Sequence, residues 1–229
     1  MRRASLPLAR WNNVLFYLLV DKEIERRLRR VASGRLVDVG CGTKPYRDMA
    51  APFVTEHIGV DLPDGRHGQS GVDVLASAYE TGLGDASFDT VLCTDVLEHL
   101  EEPQRAVDEA FRLLRPGGHG IYTAPFFWHL HEEPRDFYRY THHGLAHLFR
   151  RAGFEVVEIS ALSGFVATFT QELVYFLMGF RRGGRLNPLW WLIPPFALAI
   201  QAGAYLVDQL KLGKKFSLEY IAVVRKPTA

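Results

Sequence analysis

The chain has 229 residues, 48% hydrophobic and 23% charged, the make-up of a globular protein with room for one sizeable α/β domain but not for two. A formal net charge of +1 gives no basic field to hold nucleic acid, so no nucleic-acid partner is expected. The two cysteines, Cys41 and Cys93, stand far apart and in no metal-ligand spacing, which argues against a disulfide scaffold and fits a reducing cytoplasm.

Residues 1–33 read as a helical cap. Their apolar run is short, ends in the charge cluster "DKEIERRLRR" and lacks a small-residue cleavage site, so a packed helix over Trp11–Arg30 is expected rather than a targeting segment. From residue 34 to 162 strands and helices alternate. Strands are expected at Arg35–Val39, Thr55–Asp61, Gly71–Leu75, Ser87–Thr94, His119–Phe126 and 154–162, with a last strand at Ser217–Lys226. Helices are expected at Pro45–Ala51, at Pro103–Leu114 with "RPGG" as its stop, and at Thr141–Ala152, capped by Thr141 and ended at Gly153. This alternation implies one doubly wound sheet, with ligands outside the carboxyl ends of its strands.

The stretch "LVDVGCGTKPY" places a tight glycine turn where a nucleotide-type cofactor needs close backbone approach. Asp38 interrupts an apolar strand, and Asp61 ends the next one, where a carboxylate can accept from ribose hydroxyls. The dinucleotide fingerprint is incomplete. Gly40 and Gly42 are followed by Thr43, Lys44 and Pro45, not a third glycine, which weakens a nicotinamide-dependent oxidoreductase as the alternative reading. A non-catalytic cofactor-binding module is the other alternative.

These residues resemble the class I S-adenosylmethionine-dependent methyltransferases, in particular the methyltransferase type 11 group. "VDVGCGTKPY" is similar to their first motif, "GVDLP" to the second and "DVLASAYE" to the adenine-contacting segment. "FDTVLCTDVLEHLEEP" and "AFRLLRPGGHGIYTAPF" resemble their fourth and fifth strands. The resemblance implies a Rossmann-like seven-stranded sheet with an antiparallel last strand, S-adenosyl-L-methionine as cofactor, and an N-terminal helix over it. It implies cofactor contacts from Asp38, Gly40, Cys41, Gly42, Asp61, Leu62, Asp73, Val74, Thr94 and Asp95, with Asp73 on the exocyclic amine. Lys44 departs from the commonest pattern, which has glycine there. Methyl transfer from a sulfonium is an in-line displacement governed by positioning, so neither a triad nor a metal cluster is required.

"FFWHLHEEPRDFYRYT" follows the fifth strand and resembles a segment common in one branch of these methyltransferases. Its crowd of polar residues has no evident packing duty. His131 or Glu132 is the expected general base, His99 a further candidate, and Arg135, Tyr138, Arg139 and Tyr140 the expected substrate-pocket residues. The competing possibility is a loop whose salt bridges only hold its own backbone. His143 and His147 stand four apart, near His129, His131 and Glu132, but "THHGLAHLF" reads as an amphipathic helix with surface histidines, so no metal is expected.

Residues 163–214 form an oily insertion before the final strand at 215–229. One membrane span would put the last two strands on opposite sides, and two would bury Gln171 and Glu172 mid-segment, at about 2.5–3.5 kcal/mol for an acidic residue. A helical pair is expected instead, in contact with a membrane interface, a second copy or its own domain. Trp190 and Trp191 beside Arg181, Arg182 and Arg185, with Lys211, Lys214 and Lys215 at the far end, suit an interfacial pair. The expectation is therefore a cytoplasmic enzyme, with possible contact to the inner membrane face or homodimer formation, that methylates a small or lipid- or glycan-linked acceptor, on oxygen.

Overall fold

In the computed structural model the described residues are 8–63, 68–181, 183–210 and 212–228. Seven strands form one sheet: β1 (Arg35–Val39), β2 (Glu56–Asp61), β3 (Val74–Leu75), β4 (Phe88–Thr94), β5 (Leu114–Pro125), β6 (Glu155–Ala161) and β7 (Glu219–Arg225). Their order is β3-β2-β1-β4-β5-β7-β6. β1 to β5 run parallel, and β7 lies antiparallel between β5 and β6. The order reverses between β1 and β4, and a crevice opens at such a point beyond the carboxyl ends of the strands.

Alternate residues of the central strands face two cores. Val37, Val91, Tyr122 and Ala222 share one with α3 (Pro103–Leu113) and α4 (His142–Arg151). Leu36, Leu92, Ile121 and Ile221 share the other with Val20, Ile24 and Leu28 of α1 (Val14–Val31). Apolar side chains at one-face spacing explain α3, which starts at Pro103 and buries Ala106, Val107, Ala110 and Leu113. Thr141 caps α4 by accepting from the Gly144 N–H at 3.0 Å.

Three elements differ from their sequence-based limits. β3 shrinks to two residues because the Asp73 side chain takes the Gly59 N–H at 2.7 Å, a bond a longer ladder would need. The helix after the glycine turn is only α2 (Arg47–Ala50). β5 starts directly at the end of α3. Leu114 pairs with Phe88, the register then slips, and His119 pairs with Thr90, so "RPGG" is a bulge in the strand's start rather than a loop before it.

Two helices, α5 (Phe165–Met178) and α6 (Leu189–Asp208), lie between β6 and β7 and pack on α1. Leu15 and Leu19 of α1 meet Ala167 and Ala204 there. Gln201 Oε1 accepts from Leu15 N at 3.0 Å and its Nε2 donates to Trp11 O at 2.9 Å. Gln171 Nε2 donates to Asn12 O at 2.7 Å. Two buried glutamines thus tie the insertion to the start of α1.

The other end of α1 is tied to β6. Buried Arg27 pairs with Glu23 and Glu158, and Arg30 reaches Glu158 at 2.5 Å. Burial works to raise the Glu158 carboxyl, but bonds from Ser160, Arg30 and Arg27 win and lower it to about 2. A carboxyl lowered on folding stabilises the fold fully above its unfolded value of about 4.3 and loses that contribution as pH falls through the folded value. Urea midpoints of the wild type should therefore drop more steeply than those of Glu158→Gln between about pH 4.3 and pH 2, and the two should converge at the acid end. Parallel curves would show that the ion pairs do not anchor α1.

Candidate active site

The chain turns after Val39 in a way only glycine allows at its first position. Gly40 has φ of 71°, and a Cβ there would stand 2.3 Å from Val96 Cγ2. The N–H groups of Gly40 and Cys41 go back to Val60 O, at 2.8 and 3.2 Å. Asp61 at the end of β2 holds the turn's far side: its Oδ2 accepts from Gly42 N and its Oδ1 from Leu62 N, both at 2.7 Å. Each oxygen keeps a lone pair for a further donor.

Beneath this turn lies a buried polar network. Asp38 is 2% exposed and bonds His57 Nε2 at 3.0 Å, and burial raises its carboxyl above the usual range. Lys44 adopts φ of 53°, the conformation glycine would supply at that position. Its ammonium runs under β2 to pair with Asp73 and to donate to His57 O at 2.8 Å. The Cys41 thiol is pushed up to about 12, first by burial and then by the surrounding carboxylates, so it is an inert part of the turn.

Two adjoining cavities, of about 590 and 560 Å³, open at the carboxyl edge and share Gly40, Asp95, His99 and Glu132 in their walls. The first runs along Asp61, Leu62 and residues 76–79 to Leu100, Arg135 and Phe137. The second is bounded by Cys41, Gly42, Thr94, Glu98, His131 and Glu219, with Phe16, Tyr17, Trp128 and Tyr175 as its aromatic side. α1, α5 and the loop after β5 thus close over the sheet edge. Asp95 sits at the junction with φ of 54°, held by Thr123, whose Oγ1 accepts from its N–H at 3.1 Å and donates to its carboxylate at 2.9 Å.

Of the sequence-based candidates, Gly40, Cys41, Gly42, Asp61, Leu62, Thr94, Asp95, His99, His131, Glu132 and Arg135 line these cavities. Asp38 lies below them. Asp73 and Val74 are absent from both walls, and Asp73 pairs with Lys44. The nearby wall is Ala76, Ser77, Ala78 and Tyr79 instead.

Three of the expected substrate residues bond within the protein. Tyr140 is buried and donates its hydroxyl to Leu97 O at 2.9 Å. Tyr138 donates to Glu101 O at 2.9 Å. Arg139 grips Asp136 through two nitrogens, at 2.6 and 2.8 Å, and donates to the carbonyls of Trp128 and His129 at 3.0 and 2.7 Å. This clamp holds the Asp136 carboxyl far below its usual range and fixes the loop that carries His131.

The structure adds two acids that the sequence reading passed over. Glu98 and Glu219 are 0% and 2% exposed; neither Glu98 oxygen has a hydrogen-bond partner, and Glu219 stands against Asp95 and Thr123. Burial, reinforced by Asp95, raises both carboxyls well above the ordinary range. Glu219 carried a signal of the kind that marked Asp38, an acid at the start of the apolar strand "LEYIAVV". His99 Nδ1 donates to Arg135 O at 2.5 Å, which leaves Nε2 facing Glu98 and Glu132 at 3.8 and 3.9 Å. Burial and the neighbouring His99 lower the His131 imidazole, keeping it neutral and able to accept a proton at pH 7.

Residues 37–122 match the family model described as a methyltransferase domain. A Mycolicibacterium smegmatis protein named as a probable S-adenosylmethionine-dependent methyltransferase is 33% identical over 107 residues, 44% of this chain and 42% of its own. A ubiquinone biosynthesis O-methyltransferase of Paracidovorax citrulli is 33% identical over 101 residues, 37% of this chain and 40% of its own. The match therefore spans about two fifths of those relatives' length. Among solved structures, the [4+2]-cyclase SpnF superposes with a TM-score of 0.58 at 24% identity, covering 91% of this chain and 81% of that one. Phosphoethanolamine N-methyltransferase 2 of Haemonchus contortus, in complex with S-adenosyl-L-methionine, gives 0.52 at 18% identity over 86% of this chain and 49% of its own. The last two comparisons speak to the fold. The strand order, the glycine turn closed by Asp61 and the domain match agree: residues 37–122 carry a methyltransferase domain, set in a sheet similar to that of the class I S-adenosylmethionine-dependent methyltransferases.

Proposed function

We propose that this protein transfers a methyl group from S-adenosylmethionine to an oxygen of an amphiphilic acceptor held at a membrane surface. The observation that carries the transfer reaction is the continuity of the cleft, which leads from Asp61 past the glycine turn to a wall of proton-accepting groups. The adenosine would lie along Asp61, Leu62 and Tyr79, its ribose hydroxyls donating to Asp61. The methionine end would pass Gly40 to the cavity of Asp95, whose carboxylate suits an ammonium and a sulfonium. The acceptor would then enter beside His99, His131 and Glu132, and His131 or Glu132 would take its proton as the oxygen attacks the methyl carbon. The resemblance to ubiquinone biosynthesis O-methyltransferases supports oxygen as the target atom.

The membrane part rests on α5 and α6, which are turned inside out relative to helices of water-soluble domains. Their buried positions hold Ala167, Thr168, Gln171, Ala197, Gln201 and Ala204, with Val174 and Ile193, while Phe176, Trp191, Leu192, Phe196 and Leu206 are more than half exposed. Small and amide-bearing contacts with large apolar side chains outward is the packing found where lipid is the solvent. α6 is long and apolar enough to cross a bilayer, but α5, at 14 residues, is about 21 Å long and falls short of the roughly 30 Å core. Since β6 and β7 pair directly, the chain must return to the side it left. An in-plane helical pair satisfies both constraints. Trp190 is not a free anchor, because Arg181 stacks between it and Trp11, at 4.0 and 5.1 Å from the ring centres. Trp191, Arg185, Lys214 and Lys215 are exposed, whereas Arg182 and Lys211 lie outside the described residues. Tyr175 of α5 also lines the second cavity, so an acceptor with an apolar tail could reach the site from that side.

Three outcomes follow from this reading. S-adenosylmethionine should raise the thermal midpoint of the wild type, Asp61→Ala should lose most of that shift, and NAD should give none. Stabilisation by NAD alone would overturn the cofactor. His131→Ala and Glu132→Gln should keep cofactor affinity while at least one lowers turnover by about 10²–10⁴. Wild-type turnover in both would remove them as bases. The protein should co-sediment with anionic vesicles, only partly released by salt, and Trp191→Glu with Leu192→Glu should abolish this. A wild type that ignores vesicles and is dimeric by light scattering would assign the exposed face to a second copy instead.

A further inference from the structure

Glu98 stands in the turn Leu97–His99 with no exposed surface, and neither carboxylate oxygen has a hydrogen-bond partner. Arg139, the guanidinium that acts on it, is committed to Asp136 and three loop carbonyls. Arg139 therefore offers Glu98 attraction at a distance but no bond. A carboxylate in that setting takes up either a proton or a cation.

Its neighbours favour the cation. Ligand-type atoms of Glu98, His99 and His131 all lie within 4.8 Å of one another, at the floor of the second cavity. His99 Nδ1 donates to Arg135 O, which turns Nε2 toward the Glu98 oxygen 3.8 Å away. His131 Nδ1 lies 3.4 Å from Asp136, itself fixed by Arg139. Imidazoles oriented through one nitrogen by a carbonyl or carboxylate are the usual outer support of a metal site. The grouping weighed from the sequence, His143 and His147 with His129, His131 and Glu132, differs from this one, whose ligands come from the turn after β4 and the loop after β5.

We infer that Glu98, His99 and His131 bind a divalent transition-metal ion such as Zn²⁺ or Mn²⁺, with positions left open toward the cavity. Two imidazoles and one carboxylate suit these ions better than Mg²⁺ or Ca²⁺. Ligands of an ion held at about 2.1 Å lie roughly 3 Å apart, so the three groups close in on binding by rotation of their side chains, the loop itself staying clamped by Arg139. The ion's role rests on the reading of this cavity as the acceptor site. There it ligates the acceptor oxygen, the O–H proton passes to Glu132, and the oxygen lone pair attacks the cofactor's methyl carbon as the C–S bond breaks to a neutral thioether.

Calorimetric titration of tag-free, chelator-treated protein with Zn²⁺ and Co²⁺ tests the site without acceptor or turnover. One equivalent should bind, with Co²⁺ giving visible d–d absorption, and Glu98→Gln, His99→Ala and His131→Ala should each weaken it roughly tenfold or more. His143→Ala with His147→Ala, on the exposed side of α4, should leave it unchanged. Should the buried Glu98 variant fail to fold, the part-exposed His131→Ala carries the test, its fold checked by circular dichroism. Absence of uptake by protein that still binds S-adenosylmethionine, or uptake insensitive to these three residues, would overturn the site. Metal uptake by protein that ignores S-adenosylmethionine would instead overturn the cofactor reading and leave the site standing.

Discussion

The hydrogen bond from Gly42 N–H to Asp61 joins the ends of β1 and β2 and sets the shape of the whole carboxyl edge. It can form only because Gly40 takes a left-handed conformation against Val96. With the turn so placed, the edge has two sides. Asp61 leads toward the pocket of residues 76–79, and Gly40 leads toward Asp95 and the loop after β5. The support below is polar rather than apolar: Asp38 hydrogen-bonded to His57, and Lys44 paired with Asp73. Removing one partner of such a pair leaves a buried charge uncompensated, which costs more than the pair contributes when intact.

Above the turn the balance of charge is reversed. Asp95, Glu98 and Glu219 gather around the second cavity, while the nearest arginine is spent on its own loop. Burial raises the Glu98 and Glu219 carboxyls, and a cation entering the cavity would favour their charged forms.

Residues whose role is played by backbone or strand position were legible in the sequence. Gly40, Gly42 and Asp61 occupy the turn and strand end that "LVDVGCG" and "GVDLP" implied, and the seven-stranded order with an antiparallel β7 follows the resemblance. Residues whose role depends on partners across loops were not. Asp73 looked like a cofactor contact because nothing local shows Lys44 reaching under β2. Arg139 and Tyr140 looked like pocket residues, yet a rigid loop needs its own clamp, and they supply it. Glu98 was overshadowed by His99. In the insertion, composition displayed the oil but not which face bears it, since the buried stripe is mostly alanines and glutamines, with Thr168, Val174 and Ile193.

The inside-out pair, the buried acids and the loop histidines converge on one cavity, whose walls include Tyr175 of α5 as well as His131 and Glu98. The central claim is that this cavity receives the reactive end of S-adenosylmethionine. Diffraction from crystals grown with S-adenosylhomocysteine tests it most directly. The account predicts ribose hydroxyls on Asp61, adenine beside Tyr79, and the thioether sulfur turned toward the wall formed by Glu98, His99 and His131. A nucleoside seated away from Asp61, or a sulfur facing away from that wall, would contradict it.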